Sequence, residues 1–270
     1  MLIDHTTEFN RKKSNLFLVL GAIVLTNAIV AEIIGVKIFS LSKLLGQPTD
    51  IISVGGFIQL NSSQTAGVLI WPIVFVTSDI INEYFGKAGV KKISYITAIF
   101  IAYSFLIIFI STLLPPAQFW LDVNSKTATG EAFNINFAFS NVFRQGLNII
   151  LGSITAFLVG QLTDSFIFHF IRKITGNKWI WLRATGSTLI SQLIDCYIVI
   201  FVAFYFFGNW SFEQAFTVAN NNYVYKAVIA IAITPVLYIA HNIIDKYLGK
   251  KASDEIIEEA AIESGDIKEN

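Results

Sequence analysis

Long apolar stretches alternate with shorter polar connections along this chain. Six of them, residues 16–37, 67–86, 93–114, 147–171, 183–207 and 224–244, come close to or exceed the roughly 20 apolar residues that a helix needs to cross a bilayer. Backbone polar groups in lipid must be satisfied within the segment, so each stretch is predicted to be a helix. The pattern predicts an all-α membrane protein, a bundle of six transmembrane helices.

Lysine and arginine are distributed unevenly between the connections. If the chain crosses the membrane six times, 14 of its 19 basic residues lie on one side, in the two terminal segments and in the connections after the second and fourth stretches. Cytoplasmic loops carry the excess of basic residues, so both termini are predicted to be cytoplasmic. The basic residues on the other side are Lys37, Lys43, Lys126, Arg144 and Lys226.

This orientation divides the chain into a cytoplasmic N-terminus (1–15), a six-helix transporter domain (16–247) and an acidic cytoplasmic tail (248–270). The tail carries seven acidic residues after Gly249 and is expected to be solvated and frayed. On the external side, residues 51–60 are predicted to form a small hairpin around Gly55 and Gly56. Residues 115–145 carry aromatic residues partly at helical spacing, which favours a helix lying at the membrane interface; a lid over a pocket is the alternative.

Composition narrows the classes of function. The chain is 54% hydrophobic and only 14% charged, with a formal net charge of zero, which lies outside the range of ordinary soluble proteins. Its single cysteine excludes an intrachain disulfide, and three scattered histidines offer no zinc-ligand spacing, so neither a metal nor a cofactor is expected. A membrane-bound enzyme is the alternative to a transporter, but the sequence contains no nucleophile–base pair or cofactor motif to support it.

Five of the six stretches carry polar or ionisable residues at membrane depth. In the second, Asp79, Asn82 and Glu83 recur at i, i+3 and i+4 and share one face of a helix. One charge at the bilayer centre costs about 2.5–3.5 kcal/mol on insertion scales, so two acids on one stripe must face protein or a watery cavity. Such acids indicate a functional site and favour a transporter.

Other stretches add polar residues that helical phase can bring into the same site. Gln161 and Asp164 share a face in the fourth stretch, Gln192 and Asp195 share one in the fifth, and Asn27 lies near mid-depth in the first. All five, together with the stripe of the second stretch, are candidate substrate-binding residues. The third stretch has no ionisable residue and is predicted to be largely lipid-exposed. Three further residues nearer the membrane boundaries are candidates for a structural or gating role: Glu32, Arg183 and His241.

The segments around these acids resemble those of a known family. Residues 77–86 (TSDIINEYFG), 160–164 (GQLTD), 181–183 (WLR) and 187–195 are similar to motifs of the queuosine precursor transporters of the vitamin uptake transporter family. The Asp-x-x-x-Glu-x-x-Gly element and the Arg…Ser…Gln-x-x-Asp element carry the resemblance together, and it extends over residues 16–244.

The resemblance implies an importer of 7-deazaguanine bases, such as 7-cyano- and 7-aminomethyl-7-deazaguanine, for the salvage of queuosine in tRNA. It implies a multi-pass protein of the cytoplasmic (inner) cell membrane, similar in architecture to the substrate-binding subunits of energy-coupling-factor vitamin importers. Its partners would be the small-molecule base and the lipid bilayer, without nucleic acid, and a homo-oligomer is left open. Carboxylates and amides suit such a base, because a guanine-like edge presents adjacent N–H donors beside a carbonyl.

Two modes of energy coupling are compatible with the sequence. An acid that exchanges a proton on one side of the membrane can couple proton flow to substrate movement, so proton-linked import is predicted, with Asp164 and then Asp195 as the coupling residues. The alternative is a substrate-binding subunit that depends on separate ATPase partners. The chain contains no Walker A motif, so ATP hydrolysis would have to come from another chain.

Overall fold

The computed structural model describes residues 2–54, 58–145, 150–176, 178–206 and 210–267. Within these residues the helices are α1 (Leu2–Ile34), α2 (Leu41–Leu44), α3 (Trp71–Leu113), α4 (Gln118–Val123), α5 (Ile135–Gln145), α6 (Ile150–Thr175), α7 (Ile180–Ile200), α8 (Phe212–Leu248) and α9 (Lys250–Glu263). The strands are β1 (Ile38–Ser40), β2 (Ile51–Val54), β3 (Ile58–Asn61) and β4 (Ser63–Thr65). A 3₁₀ turn (Ala66–Leu69) precedes α3, and a π-helical segment (Phe201–Phe206) extends α7.

Five helices in the described part of the chain are long and apolar enough to cross a membrane. They are Glu8–Ile34, Trp71–Leu113, Gly152–Thr175, Ile180–Phe206 and Phe212–Leu248. The protein is therefore a multi-pass, all-α membrane protein, as predicted. The number differs from the six predicted stretches because two of them, residues 67–86 and 93–114, fall largely within the single 43-residue element α3.

Helix α3 folds back on itself at Gly86. This glycine has φ 60° and ψ −167°, which interrupts the helix. Trp71 and Phe105 both lie in the hydrophobic cluster that contains Phe157, although 34 residues of straight helix would separate them by roughly 50 Å. Residues 71–85 and 87–113 are thus two antiparallel arms, joined where the sequence places Lys87, Lys91 and Lys92.

Several helices extend beyond the apolar stretches that predict them. Helix α1 begins at Leu2 and α8 at Phe212, where Ser211 and Gln214 form a reciprocal capping box. Apolar patterning does not detect such polar helix ends, because they need not lie in lipid. The second arm of α3 presents many apolar side chains outward, including Ile99, which is 66% exposed, in agreement with the predicted lipid-exposed stretch. The predicted ends at Leu147 and Phe207 lie outside the described residues.

Two small antiparallel sheets lie between α1 and α3. Strands β2 and β3 pair with Ile51 opposite Asn61 and Val54 opposite Ile58, which confirms the predicted hairpin; its turn at residues 55–57 is outside the described residues. Strands β1 and β4 pair with Ile38 opposite Thr65 and were not predicted, because each is only three residues long. In the segment after α3, α5 is the predicted amphipathic helix, and Arg144 at its end donates to the Thr112 hydroxyl (3.0 Å) and carbonyl (3.2 Å).

The expectation of a frayed tail is wrong for the residues described. Helix α9 packs against the end of the bundle, with the Ile256 and Ala261 side chains fully buried. Tyr84 in α3 is hydrogen-bonded to Ser253 (3.1 Å), and Lys87 donates its amide to the Ser264 hydroxyl (3.2 Å). Small and apolar residues recur one turn apart between the acids of the tail, and this stripe drives its docking. Residues 268–270 are outside the described part.

Candidate functional site

A cavity of about 190 Å³ lies between α1, α3, α6, α7 and α8. At one end it is lined by Gly35, Gln64 and Thr65, which belong to the connection between α1 and α3. We call this end of the bundle the loop side, and the end that carries α9 the tail side. Asp164 and Thr188 line the cavity at its deepest point, toward the tail side.

Three charged residues and a serine, from four helices, form what we call the outer layer of the cavity: Glu32, Asp195, Lys226 and Ser153. The Lys226 ammonium on α8 lies 2.5 Å from the Asp195 carboxylate on α7, and the two side chains are 22% and 16% exposed. Glu32, near the end of α1, accepts a hydrogen bond of 2.5 Å from the Ser153 hydroxyl on α6. The outer layer thus holds two acids but one base.

About one to three helical turns deeper, an inner layer consists of Ser78, Gln161, Asp164 and Gln192. Ser78 on α3 donates to the side-chain carbonyl of Gln161 at 2.7 Å, which fixes the orientation of that amide. The side-chain carbonyl oxygen of Gln192 is buried and has no hydrogen-bond partner. A buried acceptor without a partner costs about 1–3 kcal/mol, so this amide favours a ligand that can donate to it.

The hydrogen-bond partners of Asp164 are neutral polar groups. One carboxylate oxygen lies 2.9 Å from the Ser187 hydroxyl, 3.2 Å from that of Ser191 and 3.4 Å from that of Thr188, and the other accepts from the Asn82 amide at 3.3 Å. Ser187 and Ser191 also lie within 3.1 Å of backbone carbonyls one turn back in α7. Each serine can therefore donate either to Asp164 or to its own helix.

Aromatic side chains form the apolar wall of the cavity. Trp71 stacks on Phe75 with a centroid distance of 6.0 Å, and the Phe157 ring lies 6.0 Å from Trp71 on the other helix. Phe105 and Phe204 complete this wall. A concave site with aromatic walls and a few convergent polar groups is typical of binding sites for small planar molecules.

Between the inner layer and the tail side, the bundle is filled by a buried ion cluster. Glu83 accepts two hydrogen bonds from Arg183, at 2.6 and 3.0 Å, and Arg172 lies 3.7 Å from the same carboxylate. Arg183 also donates to the carbonyls of Gly176 and Lys178 at 3.2 Å each and lies over the Phe168 ring. This cluster joins α3, α6 and α7, and its three charged side chains do not line the cavity.

The structure thus brings four of the eight predicted substrate-binding residues to the cavity, Gln161, Asp164, Gln192 and Asp195, together with Glu32. The other four lie elsewhere. Asn27 donates to the Ile23 carbonyl of its own helix at 2.8 Å, and Asn82 supports Asp164 from behind. Glu83 belongs to the ion cluster, and Asp79 lines a separate cavity of about 10 Å³ near Thr188.

This distribution of the predicted residues has a common physical reason. Residues at i, i+3 and i+4 share a face, but a face of a helix contacts two neighbours, and the neighbours decide which side chain meets the cavity. Of the three candidates for a structural or gating role, Glu32 lines the cavity, whereas Arg183 and His241 are both on the tail side. His241 is hydrogen-bonded to the Tyr84 hydroxyl at 3.0 Å.

The sequence pattern does not single out three residues of the cavity. The distribution of basic residues places Lys226 only on the external side. Lys226 lies on the same helical stripe as Thr234 and His241, and an analysis of helical phase could have revealed this signal. Trp71 and Ser153 offer no such signal, because an aromatic residue or a serine near a helix start is common in membrane helices. Among the residues described, no group of His, Cys, Asp and Glu could hold a metal ion.

Comparison with known proteins gives the family. The profile of the family described as "Putative vitamin uptake transporter" matches residues 65–240. The "Probable queuosine precursor transporter" of Bacillus subtilis (strain 168) is 26% identical over 181 residues, which cover 67% of this chain and 72% of that protein. The "Queuosine precursor transporter" of Escherichia coli (strain K12) is 26% identical over 203 residues, 72% of this chain and 80% of that protein.

A third relative, the "Probable queuosine precursor transporter" of Haemophilus influenzae (strain ATCC 51907 / DSM 11121 / KW20 / Rd), is 25% identical over 158 residues, 57% of this chain and 58% of that protein. No solved structure matches the chain, so the predicted likeness to energy-coupling-factor subunits stays a prediction. The relatives are named as transporters, not enzymes, and the family profile includes α3, α6 and α7, which supply most of the cavity. The chain therefore belongs to the vitamin uptake transporter family.

Proposed function

We propose that this protein imports queuosine precursors, 7-deazaguanine bases, across the inner cell membrane for salvage into tRNA. The names of its relatives support this substrate class. The observation that carries the proposal is the inner layer, in which the unpartnered Gln192 carbonyl and the oriented Gln161 amide face one cavity beside an aromatic wall. A guanine-like edge presents N–H donors and a carbonyl in one plane, which amides can match, while its rings occupy the aromatic wall.

The volume of the cavity agrees with a ligand of this size. Pockets for drug-sized ligands measure about 300–1,000 Å³, and this cavity, at about 190 Å³, suits one small bicyclic heterocycle. Nucleosides carry a sugar in addition to the base, so the free base is the better-matched substrate.

Six crossings follow if each arm of α3 spans the membrane, with both termini in the cytoplasm. The basic residues at the bend of α3 support this orientation, since cytoplasmic loops are enriched in lysine and arginine. The loop side is then external, so the cavity faces the substrate outside the cell. The Glu83 cluster and α9 close the tail side, and import requires these contacts to separate.

Proton coupling at Asp164 is part of the proposal. Ser187 and Ser191 can donate to an ionised Asp164, or direct their hydrogens to backbone carbonyls and accept from a protonated one. These two serines can thus form hydrogen bonds with either protonation state of Asp164. Asp195 is the second coupling candidate, because its carboxylate also lines the cavity, where it is paired with Lys226.

Complementation in cells tests the proposed substrate. Cells that cannot synthesise deazaguanines and lack their own importer are expected to regain queuosine in tRNA when this chain is expressed and a precursor base is supplied. Boronate-gel analysis of the tRNA gives the readout, with an empty vector as control. Absence of a shift with either the cyano or the aminomethyl base, despite confirmed expression in the membrane, would refute the proposed substrate.

A further inference from the structure

We propose that the outer layer selects the substituent on the five-membered ring of the base, and that Glu32 binds a cationic aminomethyl group in preference to a neutral cyano group. This inference rests on the proposed function and adds to it a charge preference within the substrate class. It assigns to Glu32 the role of a specificity-determining residue.

The charge balance of the outer layer is the first argument. Lys226 lies 2.5 Å from Asp195, so that base and that acid compensate each other. Glu32 contacts the neutral Ser153 hydroxyl at 2.5 Å, and among the described residues no ion pair joins it to a base. When both acids are ionised, the outer layer therefore has one negative charge in excess, next to a cavity at membrane depth.

The orientation of the ligand is the second argument. The Gln192 carbonyl oxygen has no partner and lies about one turn deeper than Asp195, in a side chain that is only 5% exposed. It attracts the N–H donors of the six-membered ring toward the inner layer. The substituent on the five-membered ring lies at the other end of the base, away from its 2-amino group, and so points to the outer layer.

These two arguments define the expected selectivity. An ammonium on the substituent can form a charge-assisted hydrogen bond with Glu32, whereas a cyano group can only accept hydrogen bonds and is repelled by a carboxylate. A hydrogen bond to a charged group changes affinity by about 10- to 150-fold. The aminomethyl base is therefore expected to bind at least tenfold more tightly than the cyano base.

Calorimetric titration of the purified full-length protein in detergent tests this inference with three ligands: 7-aminomethyl-, 7-cyano- and 7-methyl-7-deazaguanine. The wild-type protein is expected to bind the aminomethyl base at least tenfold more tightly than the two neutral bases. Glu32→Gln is expected to lose about tenfold or more for the aminomethyl base and to stay within about twofold for the neutral ones. Glu131→Gln, at an exposed acid between α4 and α5, is the matched control and should change none of the three constants.

The outcomes separate the inference from the proposed function. If none of the three bases binds to the wild-type protein, the proposed function fails. The inference is overturned if the three bases bind equally, or if Glu32→Gln weakens the binding of all three by the same factor. In either case the bases are substrates, but Glu32 does not discriminate between their substituents. Should Glu32→Gln fail to fold, the wild-type comparison of the aminomethyl with the 7-methyl base still decides, because the two differ by the ammonium.

Discussion

At the scale of single residues, the chain separates buried charge that stabilises the fold from charge that faces the cavity. Glu83 lies between two arginines and is 3% exposed, whereas Asp195 and Lys226 are paired at the surface of the cavity. Burying a carboxylate is tolerable in the first case because Arg183 supplies two hydrogen bonds to it. The two acids therefore lie in different environments, although the sequence places both at membrane depth.

The substitution Glu83→Gln tests the structural role of the ion cluster. The amide keeps the volume but removes the charge of the carboxylate to which Arg183 donates two hydrogen bonds, and breaking a buried pair typically costs about 3–5 kcal/mol. We expect the free energy of unfolding in detergent to fall by that amount, measured by denaturant titration. Glu131→Gln, an exposed acid, is the control and should leave it unchanged. Equal stability of the two variants would show that Glu83 is not part of a stabilising cluster.

At the scale of elements, the bend of α3 and the docking of α9 depend on one another. Gly86 has positive φ, and a Cβ there would meet the Ser264 hydroxyl and approach the Ala260 carbonyl oxygen to 3.0 Å. The residue that reverses the direction of α3 is thus the residue against which the end of α9 packs. Glycine is required for both the backbone conformation and the close approach.

The substitution Gly86→Ala separates these two requirements. A backbone with φ 60° and ψ −167° costs a residue other than glycine about 1–3 kcal/mol, and the contact with α9 adds to that cost. Gly130→Ala is the matched control, because Gly130 also has positive φ (86°) but a Cβ there would meet no atom within 4 Å. We expect Gly86→Ala to lower the unfolding midpoint in detergent more than Gly130→Ala does.

A second variant tests whether contact with α9 causes the larger loss of stability in Gly86→Ala than in Gly130→Ala. In the Ser264→Ala background the alanine at position 86 loses its nearest obstacle, so the additional loss of stability is expected to shrink. Identical effects of Gly86→Ala with and without Ser264→Ala would mean that the tail does not pack against this bend in solution.

At the scale of the whole molecule, the sequence predicts the membrane-spanning stretches, the hairpin and the polar faces, because each is a local pattern of period 3.6 or 2. It does not predict which faces meet. Glu83 and Arg183 are 100 residues apart, and only the packed bundle brings them to hydrogen-bond distance. Lys226 lies outside the motifs that carry the family resemblance, so its pairing with Asp195 emerges only from the fold.

The proposed topology is testable by labelling. In a Cys196→Ala background, a cysteine at exposed Lys91, next to the bend of α3, should be protected from an impermeant thiol reagent in intact cells and react after lysis. A cysteine at exposed Ala128, between α4 and α5, should react in intact cells. The charge distribution motivates this expectation. External labelling at position 91 would contradict six crossings with cytoplasmic termini.

The central claim is that this chain alone moves a deazaguanine base and couples its movement to protons. Uptake of labelled 7-aminomethyl-7-deazaguanine into liposomes that contain only the purified protein tests it most directly. The account predicts saturable uptake that accumulates the base when the outside is more acidic, and loss of this response to the gradient in Asp164→Asn. Uptake that ignores the gradient and a proton uncoupler, or that appears only after separate ATPase subunits are added, would contradict it.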